Sequence, residues 1–430
     1  MNMMLSGIPA ESFLAHVCER RPLLTTGGEA LPRQVSVPTW DEQRGERVQF
    51  PATLVSIDNG NDAFKGAMLH AKEARVCTRR IITAYSPART IRAGEGMTTW
   101  QVNDSEAFQI GTDALFTPQT ESLPIGGTVE RLTDPRLRHF LCACLVELLI
   151  TAGFVLPHEA YQGEHTLYAS FGIPNEELDL RGIEEATQQA IRSLLHVPWT
   201  VRRTDEQGHV TIWVLRLLEI VPYPQSFASF AAWYYTPGGT PVVTDIEQHV
   251  TLDIGGGQLH KCSVTLLHQP NGRPKLRMSA SLLGDGTIAI ARAARDTLRT
   301  RFPGIHLSDT EAQQMLTSGC VTIEGRRTDI REVISGVIAT RARNLFTQML
   351  PLLQEGQTFL MFTGGGSILL AGHLAELVRA KRAPQSFLFV PRESASVLNA
   401  IGGYILAQAA AQREHTRSGN PSLALREPRE

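Results

Sequence analysis

Apolar and polar positions along the chain fall into a few legible stretches. From Ala52 to Ile57 apolar residues run almost without interruption and stop at Asp58-Asn59-Gly60-Asn61, a tight-turn signal, after which a second strand-like run follows Lys65. This predicts a strand, a hairpin turn and a strand. The same order recurs from His249 to Leu267, where an apolar run ends at Asp253-Ile254-Gly255-Gly256-Gly257 and another strand follows. Asp58 aligns with Asp253 and Gly60 with Gly255, a separation of 195 residues (253 minus 58). That distance is far too long for a solenoid period and suits two related domains, each opening with one such hairpin. A third glycine cluster, within Phe359–Leu370, is entered by an apolar strand and left by residues of helical spacing at 368, 369, 374, 377 and 378, predicting a strand, a glycine-rich turn and a helix start. Between the hairpins, the apolar stretch from Phe140 to Leu156 reads as a core helix, with Thr133 or Asp134 as cap, Pro135 in the first turn and Gly153 as stop.

Residues 1–50 carry little periodicity, several prolines and a Gly-Gly pair, so they read as an N-terminal extension lacking regular order. The folded body is expected to begin at Pro51, with a first domain over 51–235, a second over 236–393, a closing helix over 394–411 that returns to the first domain, and a polar tail over 412–430.

Composition adds limits. The 430 residues, 42% of them hydrophobic, suffice for two or three domains. With 41 basic and 43 acidic residues the formal charge is -2, so no overall field draws the chain to nucleic acid or an acidic membrane, and DNA contact is expected only through a partner. Six cysteines without paired metal-ligand spacing point to reduced, buried thiols and a cytoplasmic protein. Glu147 and Gly153 interrupt the most apolar stretch, which falls short of the roughly 20 residues of a spanning helix.

The hairpins also suggest chemistry. A carboxylate at the end of a buried strand, followed by glycine, lets the acid orient magnesium-bound water while bare backbone approaches phosphate. Magnesium takes one or two protein carboxylates and keeps several waters, which suits Asp58 and Asp253. The amides of Gly255, Gly256 and Gly257 are expected to form an anion nest, with Lys65 supplying a positive charge. The helix start after Gly364, Gly365 and Gly366 offers backbone to a nucleoside. No Gly-x-x-x-x-Gly-Lys-Ser/Thr stretch, His-Glu-x-x-His motif or nucleophile elbow supports a competing site.

Taken in order, Asp58-x-Gly60-Asn61 with Lys65, Asp253-x-Gly255-Gly256-Gly257, and Thr363-Gly364-Gly365-Gly366-Ser367 resemble the two phosphate loops and the adenosine loop of the actin, heat-shock chaperone and sugar kinase superfamily. Within it, Phe108–Ala114, Leu167–Pro174, Leu218–Phe230, Leu282–Thr287 and Ser394–Tyr404 look like segments of the ParM/StbA-like bacterial actins. The likeness spans about residues 52–411. Three departures accompany it: Asn59 stands where an aliphatic residue is usual, the N-terminal extension is unexpected, and Thr236–Pro241 reads as an insertion.

The resemblance implies an actin-like, ribonuclease H-like duplicated α/β fold with a nucleotide cleft between its domains. It implies that Asp58 and Asp253 hold hydrated Mg2+, that Gly60, Asn61, Lys65 and Gly255–Gly257 contact phosphates, and that Gly284, Asp285, Gly364–Gly366 and Ser367 contact the rest of ATP or GTP. Gln225 falls where ParM-like proteins usually carry Glu and actin carries Gln, and is assigned to the attacking water. The implied function is a nucleotide-dependent filament of like subunits, an ATPase serving plasmid or DNA segregation through a DNA-binding adaptor. A small-molecule kinase or a partner-dependent cell-shape or chaperone-like switch on the same fold is the alternative.

Overall fold

The computed structural model describes residues 33–419, except 42–45, 89–96, 116, 118–119, 122, 125, 156–159, 180–181, 196, 236–238, 240, 243–245, 268–274, 324, 353–357 and 381–386. Most of the expected insertion at 236–241 therefore lies outside the described residues. The described residues divide into two units, one within Val243–Ser396 and the other within 33–242 together with the segment from Val397 onward.

The first unit is built on strands β1 (Gln34–Asp41), β2 (Glu46–Asn59), β3 (Ala63–Leu69), β4 (Val76–Ile82), β5 (Tyr85–Pro87), β6 (Thr99–Val102), β7 (Phe108–Ile110), β8 (Tyr161–Ile173), β9 (Trp199–Thr204) and β10 (Val210–Pro224). They form one sheet in the order β4-β3-β2-β8-β10-β9-β6-β7-β5, with β1 paired to β2. Its centre is a meander, β2 antiparallel to β3 and β3 to β4, followed by β8 parallel to β2 and β10 parallel to β8. Strand β2 is buried from Ala52 through Asn59 because it has neighbours on both edges and packing on both faces, and this accounts for its unbroken apolar run. The sequence placed residues 1–50 outside the folded body, yet Gln34–Asp41 pairs residue by residue with 46–53. Tertiary pairing rather than periodicity makes this strand, since Pro38 and mixed polarity hide it.

Helix α1 (Thr128–Thr133) leads into α2 (Pro135–Thr151). The Asp134 side chain caps α2 by accepting from the Arg136 amide at 2.8 Å, Pro135 occupies its first turn, and Gly153 leaves the helix with a left-handed φ of 76°. Cys142 and Cys144 are both buried in the core with Phe140, Leu141 and Leu148. Helix α3 (Gln225–Tyr234) begins directly where β10 ends.

The second unit repeats the plan with β11 (Gln248–Ile254), β12 (Gln258–Leu267), β13 (Lys275–Asp285), β14 (Thr358–Thr363) and β15 (Phe387–Phe389). Their order is β13-β12-β11-β14-β15, again a three-strand antiparallel meander followed by two parallel strands. Helices α4 (Thr287–Arg301), α5 (Arg331–Met349) and α6 (Gly365–Ala380) cover it, and its core gathers Val250, Leu252, Ile290, Leu298, Ile338, Leu360 and Leu374.

The last helix, α7 (Leu398–Gly419), packs in the first unit on β2, β8 and α3. It runs past residue 411, where a polar tail was expected, to Gly419; Gln412, Arg413 and Glu414 are good helix formers and extend the helix already begun. Among the described residues no helix is long and apolar enough to cross a membrane.

Candidate functional site

The two hairpins fold in matching register. Asp58 is the penultimate residue of β2 and pairs with Lys65, while Asp253 is the penultimate residue of β11 and pairs with His260, seven residues on in each case. On the parallel side Asp58 lies beside Gly172 and Asp253 beside Thr363. Gly172 and the Thr363-Gly364-Gly365-Gly366 turn are thus equivalent stations of a duplicated frame.

In the first unit Asp58 is 1% exposed. Its Oδ1 accepts a 2.8 Å hydrogen bond from Gln225 Nε2, and Lys65 Nζ stands 3.6 Å from its Oδ2. Lys65 Nζ also lies 3.5 Å from Asp62 Oδ1, and Asp62 meets Arg80 at 3.3 Å. Burial pushes the Asp62 carboxyl up, but Lys65 and Arg80 together outweigh it and hold the group below its usual range. Gln225 reaches Asp58 because Pro224 ends β10 and the amide sits in the first turn of α3. A Cβ on Gly172 would stand 3.1 Å from Gln225 Cγ, so the bare glycine gives the side chain its room.

The turn itself is strapped from behind by Arg131 on α1. Its Nη1 donates to Asn59 O, and its Nη2 donates to both Asn59 Oδ1 and Gly60 O at 3.0 Å. Arg131 is 5% exposed, and burial lowers its pKa to about 10 against the raising influence of Asp58, Asp62 and Glu177. Asn61 Oδ1 accepts from the Gly126 amide at 3.3 Å, tying the far side of the turn to the loop before α1. Tyr223 donates from below to Ile57 O at 3.3 Å, and burial, with the Asp58 charge, drives its hydroxyl well above the ordinary phenol range.

In the second unit Asp253 is 6% exposed at the end of β11. Gly364 crosses it in a left-handed conformation, φ 82°, so tightly that a Cβ there would fall 2.4 Å from Asp253 Oδ1. The glycine turn is braced by α4: amides of Gly286, Thr287 and Ile288 donate to the carbonyls of Gly257, Gly255 and Gly256 at 3.0, 3.0 and 2.9 Å. This satisfies the first amides of α4 and turns the loop carbonyls toward the helix.

Two of the expected contact residues have groups engaged within their own turns. The Gly255 amide donates to Gln258 O at 2.9 Å, closing the hairpin, whereas the amides of Gly256 and Gly257 make no backbone hydrogen bond among the described residues. The Ser367 hydroxyl donates to Gly364 O at 2.8 Å and is buried, so it stabilises its own turn. Gly365 differs from both neighbours, because a Cβ on it would meet nothing within 4 Å. Gly284 and Asp285 close β13, and Arg341 of α5 donates to Asp285 O.

Asp58, Gly60, Asn61, Lys65 and Gln225 therefore form one cluster, and Asp253, Gly255–Gly257 and Gly364–Gly366 form another. Sequence reasoning missed Arg131, which acts across 72 residues of sequence and sits in no recognisable motif, and gave no role to Tyr223, although it lies within the family-like segment Leu218–Phe230. It also missed Gly286, where a Cβ would fall 2.3 Å from Gly255 O; the Gly-Asp-Gly spacing at 284–286 was the available signal.

Solved structures share this architecture. A ParM in a 15-stranded filament from Clostridium botulinum superposes with a TM-score of 0.63 at 14% identity, over 83% of this chain and 99% of that one. A non-polymerisable quadruple mutant of pCBH ParM gives 0.61 at 14% identity with the same coverage. An archaeal actin homologue in complex with ADP gives 0.57 at 18% identity, again over 83% and 99%. No protein-family profile and no curated protein sequence matches the chain. The fold is thus the duplicated α/β fold of the actin-like proteins, as the sequence led us to expect. Among proteins of that fold, the ParM structures are ones this chain is similar to, and the likeness is one of fold.

Proposed function

We propose that the protein is an ATPase that binds a magnesium nucleotide and assembles into nucleotide-dependent filaments in the cytoplasm, serving plasmid or DNA segregation through a DNA-binding adaptor. The observation that carries this reading is the pair of hairpins in matching register, each ending on a buried aspartate beside a glycine-rich turn.

The residues suit the nucleotide and its metal. Among the described residues no group of three or more His, Cys, Asp or Glu builds a metal cage, and one carboxylate per hairpin is what a largely hydrated Mg2+ accepts. Asp58 in its unit and Asp253 in its own are each the carboxylate that would orient water on such an ion, which when bound would neutralise phosphate charge. Gly364 could not carry a side chain without filling the space over Asp253. Lys65 brings positive charge to the turn of Gly60 and Asn61, and the amides of Gly256 and Gly257 supply donors for phosphate oxygens. The open face of Gly365, at the N-terminus of α6, suits an approaching nucleoside or inner phosphate.

Gln225 orients water. Its Nε2 is committed to Asp58, which fixes the amide and leaves Oε1 to accept a hydrogen bond from a water molecule. An amide cannot deprotonate that water, but phosphoryl transfer asks mainly for positioning and charge stabilisation. Filament growth follows from a repeated head-to-tail contact that does not close on itself. The archaeal homologue solved with ADP and the ParM solved as a filament support both halves of the reading.

Light scattering and phosphate release, followed together after Mg-ATP is added to purified protein, test it. Scattering should rise with nucleotide and decay as phosphate appears. Asp253→Ala should abolish Mg-dependent phosphate release, and Gln225→Ala should slow it about 100-fold while nucleotide binding stays within threefold. Turnover without scattering would favour a small-molecule kinase or a partner-dependent switch, and silence in both would refute nucleotide use.

A further inference from the structure

We propose that β13 is a self-pairing edge, joining antiparallel to β13 of a second copy of this chain about Ala280. The proposal is independent of nucleotide and concerns a lateral contact. Strand β13 is the outermost strand of the five-stranded sheet, and among the described residues its one strand neighbour is β12. Met278 and Leu282 are 41% and 46% exposed, and Ser279 and Ser281 are exposed between them. An exposed edge is ordinarily protected by proline, by a central charge or by a bulge. The segment Met278-Ser279-Ala280-Ser281-Leu282 has none of these; the irregularity in its ladder falls beyond Leu282, where Gly284 pairs with Leu259 and Leu282 with His260.

The occupant follows from the sequence of the strand. Read about Ala280, the segment is nearly the same in both directions. Laid antiparallel on itself, it sets Met278 of each copy against Leu282 of the other, Ser279 against Ser281, and Ala280 against Ala280. Same-face apolar pairs and small central residues are what a cross-strand ladder requires. Outside these five residues the basic end, Lys275 and Arg277, comes alongside the acidic end, Asp285, of the other copy. The pairing has two-fold symmetry, so it closes as a dimer and adds no further copies along the same edge.

Sedimentation velocity of nucleotide-free protein over a concentration series tests this, and its failure would leave the nucleotide reading untouched. Wild-type protein should pass from monomer to dimer as concentration rises. Met278→Glu and Leu282→Lys alone should each weaken the dimer at least tenfold. The double variant Met278→Glu/Leu282→Lys should recover it, because each new Glu then faces a new Lys. Ala280→Cys should form a dimer under mild oxidation whose disulfide maps to position 280 in both chains, since directly opposed strand positions lie within disulfide reach. A monomer at every concentration without that crosslink, or a dimer that both single variants leave intact, would overturn the proposal.

Discussion

Asn59 illustrates how one unusual side chain is explained by another far away. It replaces the aliphatic residue common between Asp and Gly in such turns, and in the fold its Oδ1 accepts from Arg131 Nη2 while its carbonyl accepts from Nη1. A buried guanidinium needs such acceptors, and the turn needs the guanidinium, so the two residues stand or fall together. Arg131→Leu should destabilise the first unit by about 3 kcal/mol, by leaving Asn59 and Gly60 carbonyls without their donor. It should also weaken nucleotide binding at least tenfold. Asn59→Val in the same chain should return part of the lost stability, because the apolar pair no longer buries an unmatched amide. Thermal melts and nucleotide titrations on the two singles and the double would reveal a coupling; strictly additive effects would show that the strap is not a unit.

Elements meet in this protein where glycine removes a side chain from the contact. On α7, a Cβ at Gly402 would lie 1.7 Å from Ala228 O of α3, closer than any rearrangement of side chains could relieve. Gly402→Ala should therefore lower stability by about 3 kcal/mol, seen as a drop in the chemical-denaturation midpoint. Gly365→Ala supplies the contrast, since the added methyl meets only open space. Its melting temperature should stay within about 2 °C of wild type, in keeping with surface substitutions, while nucleotide affinity should fall if that face receives the ligand. Loss of stability in Gly365→Ala, or unchanged affinity, would remove Gly365 from the site. The Gly-Gly at 402–403 and the glycine run at 364–366 were both visible in the sequence, but which glycine faces protein and which faces open space depends on what another element brings against it.

For the molecule as a whole, stability should carry a pH signature written by buried histidines. His249, on the central strand of the second unit, is 0% exposed, and burial lowers its pKa to about 3. Burial also lowers the pKa values of His139 and His165 in the first unit. Between pH 6.5 and 3 the unfolded chain binds a proton at His249 that the folded chain refuses, so stability rises with pH across that window and is lost on acidification. One unit below the ordinary histidine value this costs about 1.4 kcal/mol. Melts at pH 7.5 and 5.5 should differ accordingly, and His249→Gln should reduce the difference; an unchanged pH slope would mean that the histidine is not the titrating group. The sequence alone specified the frame. Two hairpins with Asp58 and Asp253, the glycine turns and the caps of α2 were readable because tight turns, buried strands and helix ends make demands on adjacent residues. What lies across long loops was not readable. Arg131 behind the first turn, the commitment of the Gly255 amide and Ser367 hydroxyl, the pairing of Gln34–Asp41, and the Gln225 amide held on Asp58 across 167 residues all came from tertiary contacts. A partner so distant leaves no periodicity in the chain, and its position is fixed only when the sheet sets the register of strands that neighbour in space.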